Sequence, residues 1–380
     1  MNSIINENAP KKDHKQIHYI NFNQDYSCIS IGTNEGYLIY NIEPLKIICE
    51  KSNLIKIIYI YIELGGGIGI VEMLYKTNIL ALVGGGIYPK FSLDKITIWD
   101  DHQGKIISQI KFNSEIMQIK IHKDAIIGIL KDKIYILNLI TLETIDILET
   151  YDNPKGIFSS SFIKNNLLVA FPCSKSRGYV QIENYFITKV LNEKKEGQII
   201  TAHESQIAYI TVNNKGTILA TASDKGTYIR IFLISKDEHP IVSLRRGAKT
   251  AKINCLAFDS YNEILGCSSD SGTIHIFNIS EINKLLVDKN NEEKKEDIKE
   301  GKQYKNDKSK NYKVIPKINI KEKSFARFKI LESQSILGFY QPNRIIILTS
   351  NGKYFKVNYD TKGGCNKLKE GTIEVENINL

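Results

Sequence analysis

One short pattern recurs seven times along this chain of 380 residues, and it restricts the fold more than any other feature. The pattern is an apolar strand, a short polar turn and a second strand with alternating apolar residues, as in 218–232 (ILATASDKGTYIRIF). The other copies lie at 28–42, 79–101, 125–139, 167–185, 264–279 and 345–359. Runs rich in Ile, Val and Tyr that are broken by Gly, Asn and Asp are typical of strands and turns, so the chain is predicted to be all-β.

The spacing of the copies predicts a particular all-β architecture. A propeller blade of four strands needs roughly 40–45 residues. One residue marks the turn of each copy, and successive marks are 58, 38, 46, 48, 46 and 80 residues apart: Gly36, Asp94, Asp132, Gly178, Gly226, Gly272 and Gly352. Seven copies therefore predict a seven-bladed, WD-repeat-like β-propeller, whose closed ring protects most sheet edges. We assign the WD dipeptide at Trp99 and Asp100 to packing within its blade.

The interval of 80 residues indicates an insertion in the sixth blade. Residues 281–323 are dense in charge and poor in apolar side chains, which predicts a flexible charged loop. The strand-like segment 324–330 (SFARFKI) is expected to complete that blade. With residues 1–15 as a polar, disordered tail, residues 16–380 are expected to form a single propeller.

Composition narrows the class of protein. The net charge of +9, from 51 Lys and Arg against 42 Asp and Glu, suits an anionic partner without choosing between nucleic acid and a membrane surface. No apolar run is long enough for a transmembrane helix, and the polar start is unlike a signal peptide. The six scattered cysteines form no CxxC pair, so we interpret them as reduced thiols and expect neither metal nor cofactor.

Catalytic motifs do not stand out. The glycine triplets Gly65–Gly67 and Gly84–Gly86 lack the Lys-Ser/Thr of a phosphate-binding loop, and we interpret them as turns or bulges. No HExxH motif, carboxylate pair or nucleophile with a positioned base emerges. The chain is therefore not expected to be an enzyme.

The tetrapeptide Leu244–Gly247 (LRRG) is the strongest candidate for a binding site. Successive side chains of an extended segment point to opposite sides, so Arg245 and Arg246 are expected to enter two different grooves. A guanidinium matches a phosphate with two parallel hydrogen bonds. Two adjacent arginines thus predict two anion sites, although on their own they could also be solvated charges at a strand end.

The chain resembles the PROPPIN family of phosphoinositide-binding β-propellers. The resemblance extends from about Ile17 to Cys365. It is carried by the segments 66–86 (GGIGIVEMLYKTNILALVGGG), 89–101 (PKFSLDKITIWDD), 153–156 (NPKG), 201–205 (TAHES), 220–232 (ATASDKGTYIRIF), 244–247 (LRRG) and 268–277 (SSDSGTIHIF).

The resemblance implies two sites for phosphatidylinositol 3-phosphate or phosphatidylinositol 3,5-bisphosphate. The first would comprise His203, Ser223, Lys225, Thr227, Arg230 and Arg245. The second would comprise Arg246, Ser268, Ser269, Thr273 and His275, with Lys249 and Lys252 adding charge beside it.

The resemblance also implies membrane contact through the loop of the sixth blade, where the candidates are Leu285, Leu286, Tyr304 and Tyr312. This loop departs from the family because it is mostly charged. Attraction of its lysines to anionic lipid, about 1 kcal/mol each, could replace insertion, and its acidic residues would reduce that gain.

The resemblance also implies a location and a partner. We expect a cytoplasmic monomer that is peripheral on autophagic (phagophore), endosomal or vacuolar/lysosomal membranes, and that recruits a large autophagy lipid-transfer protein to blades two and three.

Two other binding functions remain open, and an enzymatic propeller ranks after them. The first is a WD-repeat protein scaffold without lipid binding. The second is nucleic-acid binding through the basic surface, which would be strongly salt-dependent. Lysines that interleave with acids, and the lack of an evident aromatic stacking platform, disfavour it, so no nucleic-acid partner is expected.

Overall fold

The structure of the protein, a computed structural model, describes residues 16–52, 65–234, 239–283, 322–360 and 362–373. These residues form seven antiparallel sheets of four strands, and each sheet uses four consecutive strands in chain order. The predicted seven-bladed β-propeller is therefore confirmed.

Blades one to three contain the first twelve strands. In chain order they are β1 (Ile17–Phe22), β2 (Cys28–Thr33), β3 (Gly36–Asn41), β4 (Lys46–Ser52), β5 (Ile68–Met73), β6 (Ile79–Gly84), β7 (Lys95–Asp100), β8 (Lys105–Lys111), β9 (Gln118–Ile121), β10 (Ala125–Ile129), β11 (Lys133–Asn138) and β12 (Thr144–Glu149).

Blades four to seven contain the other sixteen. They are β13 (Ser159–Ile163), β14 (Asn166–Pro172), β15 (Tyr179–Ile187), β16 (Asn192–Thr201), β17 (Ile207–Val212), β18 (Ile218–Ser223), β19 (Tyr228–Leu233), β20 (Val242–Arg245), β21 (Ile253–Phe258), β22 (Ile264–Ser269), β23 (Thr273–Asn278), β24 (Ala326–Lys329), β25 (Ser335–Gln341), β26 (Arg344–Thr349), β27 (Lys353–Tyr359) and β28 (Cys365–Thr372).

The recurring sequence unit corresponds to the two middle strands of each blade. These strands are sandwiched between neighbouring blades, so both of their faces are buried and they read as nearly continuous apolar runs. All six residues of β2 and of β18 are buried, whereas the outer strand β8 is mostly exposed.

Apolar side chains between blades hold the ring together. Seven clusters of buried side chains each join two neighbouring blades. One of them closes the ring, since it packs Phe22 and Ile29 of blade one against Ile346 and Leu348 of blade seven. Because β1 to β4 form blade one and β25 to β28 form blade seven, none of the described strands is exchanged across this junction.

The insertion lies where the sequence indicates it, between β23 and β24 of blade six. Pairing of β24 with β23 confirms that the segment 324–330 completes the sheet. A helical turn begins at Ser280. The tail at 1–15 and the candidate membrane residues Leu285, Leu286, Tyr304 and Tyr312 lie outside the described residues.

The glycine triplets lie before β5 and at the end of β6, as expected for turns, but their main role is close backbone packing. The Gly67 N–H donates to the Tyr88 carbonyl (2.7 Å), and the Gly67 carbonyl accepts from Lys90 N–H (3.0 Å). A Cβ added at Gly67 would lie 2.3 Å from the Gly85 carbonyl oxygen, so only glycine fits there. These contacts fix the β6–β7 connection of blade two.

The cysteines and the possibility of membrane-spanning helices were considered from composition, and the described residues bear on both. All six cysteines lie there without a disulfide, four of them buried. Within the same ranges, no helix is both long and apolar enough to cross a bilayer.

Candidate functional site

The LRRG segment lies where the outer strand of blade five ends. Pairing of β20 with β19 puts Arg245 opposite Tyr228. The Arg245 backbone N–H donates to the Glu322 carbonyl (2.7 Å), and an isolated bridge joins Arg245 to Lys323. The chain that returns from the insertion therefore runs directly beside the two arginines.

The two arginines have opposite environments. The side chain of Arg245 is exposed, whereas Arg246 is only 7% exposed. Arg246 Nε donates to the Gly226 carbonyl (2.5 Å), and its Nη2 donates to the Lys249 carbonyl. A guanidinium has five N–H donors, so these bonds orient Arg246 and leave others for an anion.

The turn between β18 and β19 is bonded to the LRRG segment. Gly226 has a positive φ of 57° and donates its N–H to the Ser223 carbonyl (3.0 Å). The Thr227 carbonyl accepts from the Arg246 N–H (2.9 Å), and Lys225 at the tip is exposed. Ser223, Lys225 and Thr227 are thus brought to the base of the motif.

Arg230 and His203 lie deeper in blade five. Arg230 Nη1 donates to the Ala202 carbonyl (2.6 Å), and His203 Nε2 lies 2.9 Å from Thr221 Oγ1. Burial, assisted by the Arg230 charge, lowers the pKa of His203 to about 4. His203 is therefore neutral at pH 7 and contributes a polar ring rather than a charge.

The serines of blade six end β22 and are fully buried. Ser268 Oγ donates to the Ser335 carbonyl (2.6 Å), so its proton is committed to the backbone of blade seven. Ser269 Oγ lies 2.9 Å from Ser271 Oγ, and Thr273 begins β23 half-buried. Ser269 and Thr273 thus flank the β22–β23 turn.

His275 belongs to the same electrostatic environment as Arg246. Burial, together with the charges of Arg327 and Arg246, lowers the pKa of His275 to about 4. Its Nδ1 lies 3.1 Å from Ser324 Oγ, and strand pairing puts Arg327 opposite it. The Arg246 charge therefore helps to keep the His275 ring neutral.

Arg327 and Ser324 were not predicted from the sequence as site residues. Arg327 is exposed, and its Nε donates to Ser324 Oγ (2.9 Å). The segment that contains them is recognisable as a strand. Its register against β23 could not be derived, however, because the insertion separates the two strands in the chain.

The described ranges also offer no metal site. They hold no group of three or more His, Cys, Asp or Glu side chains that could bind one ion.

Comparisons with known proteins agree on one family. The sequence model of the PROPPIN family matches residues 16–369. Autophagy-related protein 18 of Dictyostelium discoideum is 34% identical over 272 residues, which cover 72% of this chain and 68% of that protein.

Solved structures agree on the fold. Hsv2 of Kluyveromyces lactis superposes with a TM-score of 0.70 at 19% identity, covering 94% of this chain and 99% of that one. KlAtg21, solved in complex with the coiled coil of AgAtg16, superposes with a TM-score of 0.68 at 22% identity, covering 94% and 100%.

Proposed function

Because this chain belongs to the PROPPIN family, we propose that it is a phosphoinositide effector. It binds phosphatidylinositol 3-phosphate, phosphatidylinositol 3,5-bisphosphate or both at two sites that flank the LRRG motif. Through them it recruits autophagy or vesicle-traffic machinery to phagophore, endosomal or vacuolar membranes.

The observation that carries the proposal is the divergence of Arg245 and Arg246. Their backbones are adjacent, yet one side chain is exposed, whereas the other is buried and bonded to the Gly226 and Lys249 carbonyls, where its charge helps to lower the pKa of His275 in blade six. Each guanidinium can therefore serve a different head group. Guanidinium–phosphate pairs are among the stronger hydrogen bonds in proteins.

The first site uses Arg245 with the β18–β19 turn. Lys225 adds an exposed point charge, and Ser223 and Thr227 supply hydroxyl donors. Arg230 and His203 support this site from beside it, since their hydrogen bonds tie the segment that contains Ala202 and His203 to β19 and β18.

The second site uses Arg246 with Ser269, Thr273 and His275. Ser268 acts here as a support, because its hydroxyl ties the end of β22 to blade seven. Two weak sites on one rim bind a membrane multivalently, and avidity can exceed the affinity of one site by roughly 10²–10⁴-fold. Recruitment should then depend steeply on lipid density.

A connection of blade two supports the docking of a partner protein on blades two and three. Ile87 and Tyr88 are 85% and 81% exposed, and the bond from Gly67 fixes the backbone at Tyr88. Exposed apolar side chains that lie together mark interaction surfaces, and Tyr is among the residue types enriched in binding hot spots. The partner that we propose for them is a large autophagy lipid-transfer protein.

Liposome flotation tests the lipid proposal. Vesicles carrying phosphatidylinositol 3-phosphate or 3,5-bisphosphate should float the wild-type protein, whereas 4-phosphate or phosphatidylserine vesicles should not. Arg245→Thr/Arg246→Thr should abolish flotation. The control Lys105→Thr/Lys369→Thr removes the same charge from two exposed positions on the outer strands β8 and β28, and it should float normally.

Two results would contradict the proposal. Equal flotation with every anionic vesicle, unaffected by the arginine substitutions, would mean that only the basic surface acts. Absence of flotation with all vesicles would favour the alternative of a WD-repeat protein scaffold without lipid binding.

A further inference from the structure

One mouth of the central channel contains a cavity of about 400 Å³. It is lined by the inner strands β17, β21 and β25 and by the connection that leads into β13. Pockets for small molecules span roughly 300–1,000 Å³, so the volume suits a compact ligand. The LRRG segment does not line it.

The polar groups of this cavity are suited to an anion. Lys155 and Lys252, both exposed, line it, together with the side-chain amides of Gln118, Asn254 and Gln334. No Asp or Glu is among the described residues that line it. The nearby Asp270 contacts the backbone N–H of Lys252 (3.1 Å) from outside the lining. Within the described ranges neither ammonium group has a carboxylate within ion-pair distance.

Ser335 gives an independent indication of a ligand. This residue lines the cavity and is 4% exposed, yet in the described part of the chain its hydroxyl has no hydrogen-bond partner. A buried hydroxyl without a partner costs roughly 1–3 kcal/mol. The hydroxyl oxygen is closed off from solvent in this structure, so a ligand oxygen in the cavity would satisfy it once the Ser335 side chain turns toward the cavity.

The NPKG segment holds Lys155 at the cavity. The Asn153 side chain is bonded to the backbone of Ile157 in both directions, at 2.9 and 2.7 Å. Gly156 has a positive φ of 60°, and an added Cβ would lie 2.9 Å from the Cβ of Gln118. The turn is therefore rigid and packed against the channel wall. The rim sites give this motif no role, whereas the cavity does.

We propose that the mouth of the channel binds a small, multiply phosphorylated anion, such as an inositol polyphosphate, separately from the two rim sites. Ammonium groups act as point charges on phosphate, and amide and hydroxyl donors complete the set. This site goes beyond lipid binding at the membrane, because it faces the channel and takes a soluble ligand.

Isothermal titration calorimetry with inositol hexakisphosphate tests the proposal. The measurement uses the Arg245→Thr/Arg246→Thr protein, so that the rim arginines do not contribute. We expect one binding site. Adding Lys155→Ala/Lys252→Ala should weaken it more than tenfold, since two charge-assisted contacts are lost. Ser335→Ala should weaken it several-fold, and Lys105→Ala/Lys369→Ala, with the same loss of charge, should leave it unchanged.

A second arm separates a soluble ligand from a lipid head group. Lys155→Ala in the protein with intact arginines should float on phosphoinositide vesicles as the wild type does, because Lys155 belongs to neither rim site. Loss of flotation would instead assign Lys155 to the membrane surface and overturn the proposal. Absence of binding at millimolar ligand, or equal weakening by both lysine pairs, would also overturn it.

Discussion

At the scale of single residues, Arg245 and Arg246 should differ in their contribution to the stability of the protein, although both are proposed to bind lipid head groups. Arg246→Thr leaves the Gly226 and Lys249 carbonyls without their guanidinium donor. We expect it to lower the free energy of unfolding by about 1–3 kcal/mol. Arg245→Thr, at an exposed side chain, should change it by less than about 0.5 kcal/mol.

Urea unfolding at pH 7 measures both values, and it also shows whether the double variant used for flotation is folded. Equal losses for the two single variants would contradict the difference in burial.

The buried histidines predict a dependence of stability on pH. His203 has a pKa of about 4 in the folded protein, against about 6.5 when unfolded. Between these values the unfolded chain binds more protons, so stability is present above pH 6.5 and is lost as the pH falls toward 4. This loss is on the order of 2 kcal/mol between pH 7 and pH 5.

The dependence can be measured by comparing urea unfolding at the two pH values. His203→Gln should reduce the pH dependence, whereas His239→Gln, at an exposed histidine, should retain it. An unchanged dependence in His203→Gln would contradict the prediction.

At the scale of elements, sequence and structure agree wherever pairing is local. The middle strands of all seven blades and the strand after the insertion were predictable, because a short turn fixes their register and both of their faces are buried. The approach of Arg327 to His275 was not predictable, because it depends on the pairing of β23 with β24 across the insertion. Nor could sequence alternation reveal that Arg246 is buried while Arg245 is exposed.

The exposed apolar side chains of the β6–β7 connection are expected to contribute much of the free energy of partner binding. Replacing its two apolar side chains, as in Ile87→Ser/Tyr88→Ser, should reduce binding of the proposed lipid-transfer partner at least tenfold, because hot-spot residues each contribute about 2 kcal/mol or more. The thermal midpoint should not change, since both side chains are exposed.

A pull-down from purified components measures this binding. Val190→Ser/Leu191→Ser is the matched control, since both side chains are exposed in the β15–β16 connection of blade four. Equal loss of binding in the two variants would contradict a specific surface on blade two.

At the scale of the whole molecule, the junction of blades one and seven is joined by side chains. Besides the apolar cluster, Lys356 Nζ donates to the Ile42 carbonyl (2.7 Å) and to Glu43 Oε2 (2.8 Å). Lys356 is 7% exposed, so few water molecules could replace these partners.

Lys356→Met keeps most of the volume of the side chain and removes its charge. We expect it to lower the free energy of unfolding by about 2 kcal/mol, measured by urea unfolding, because the Ile42 carbonyl loses its partner. Lys369→Met, on the exposed strand opposite in the same blade, should have almost no effect. A stability loss that is the same at both positions would show that the junction does not depend on this contact.

None of the described strands is exchanged at this junction, and this has a topological consequence. Ile17 and Ile373 both approach Gly352, so the two ends of the described ring lie side by side. Each blade is built from four consecutive strands, and it contacts its neighbours through packed side chains rather than by contributing a strand to their sheets. The order of the blades along the chain is therefore not essential to the ring. A circularly permuted chain, opened at the exposed β15–β16 connection and joined between the ends of the described ring near Ile17 and Ile373, could close into the same propeller.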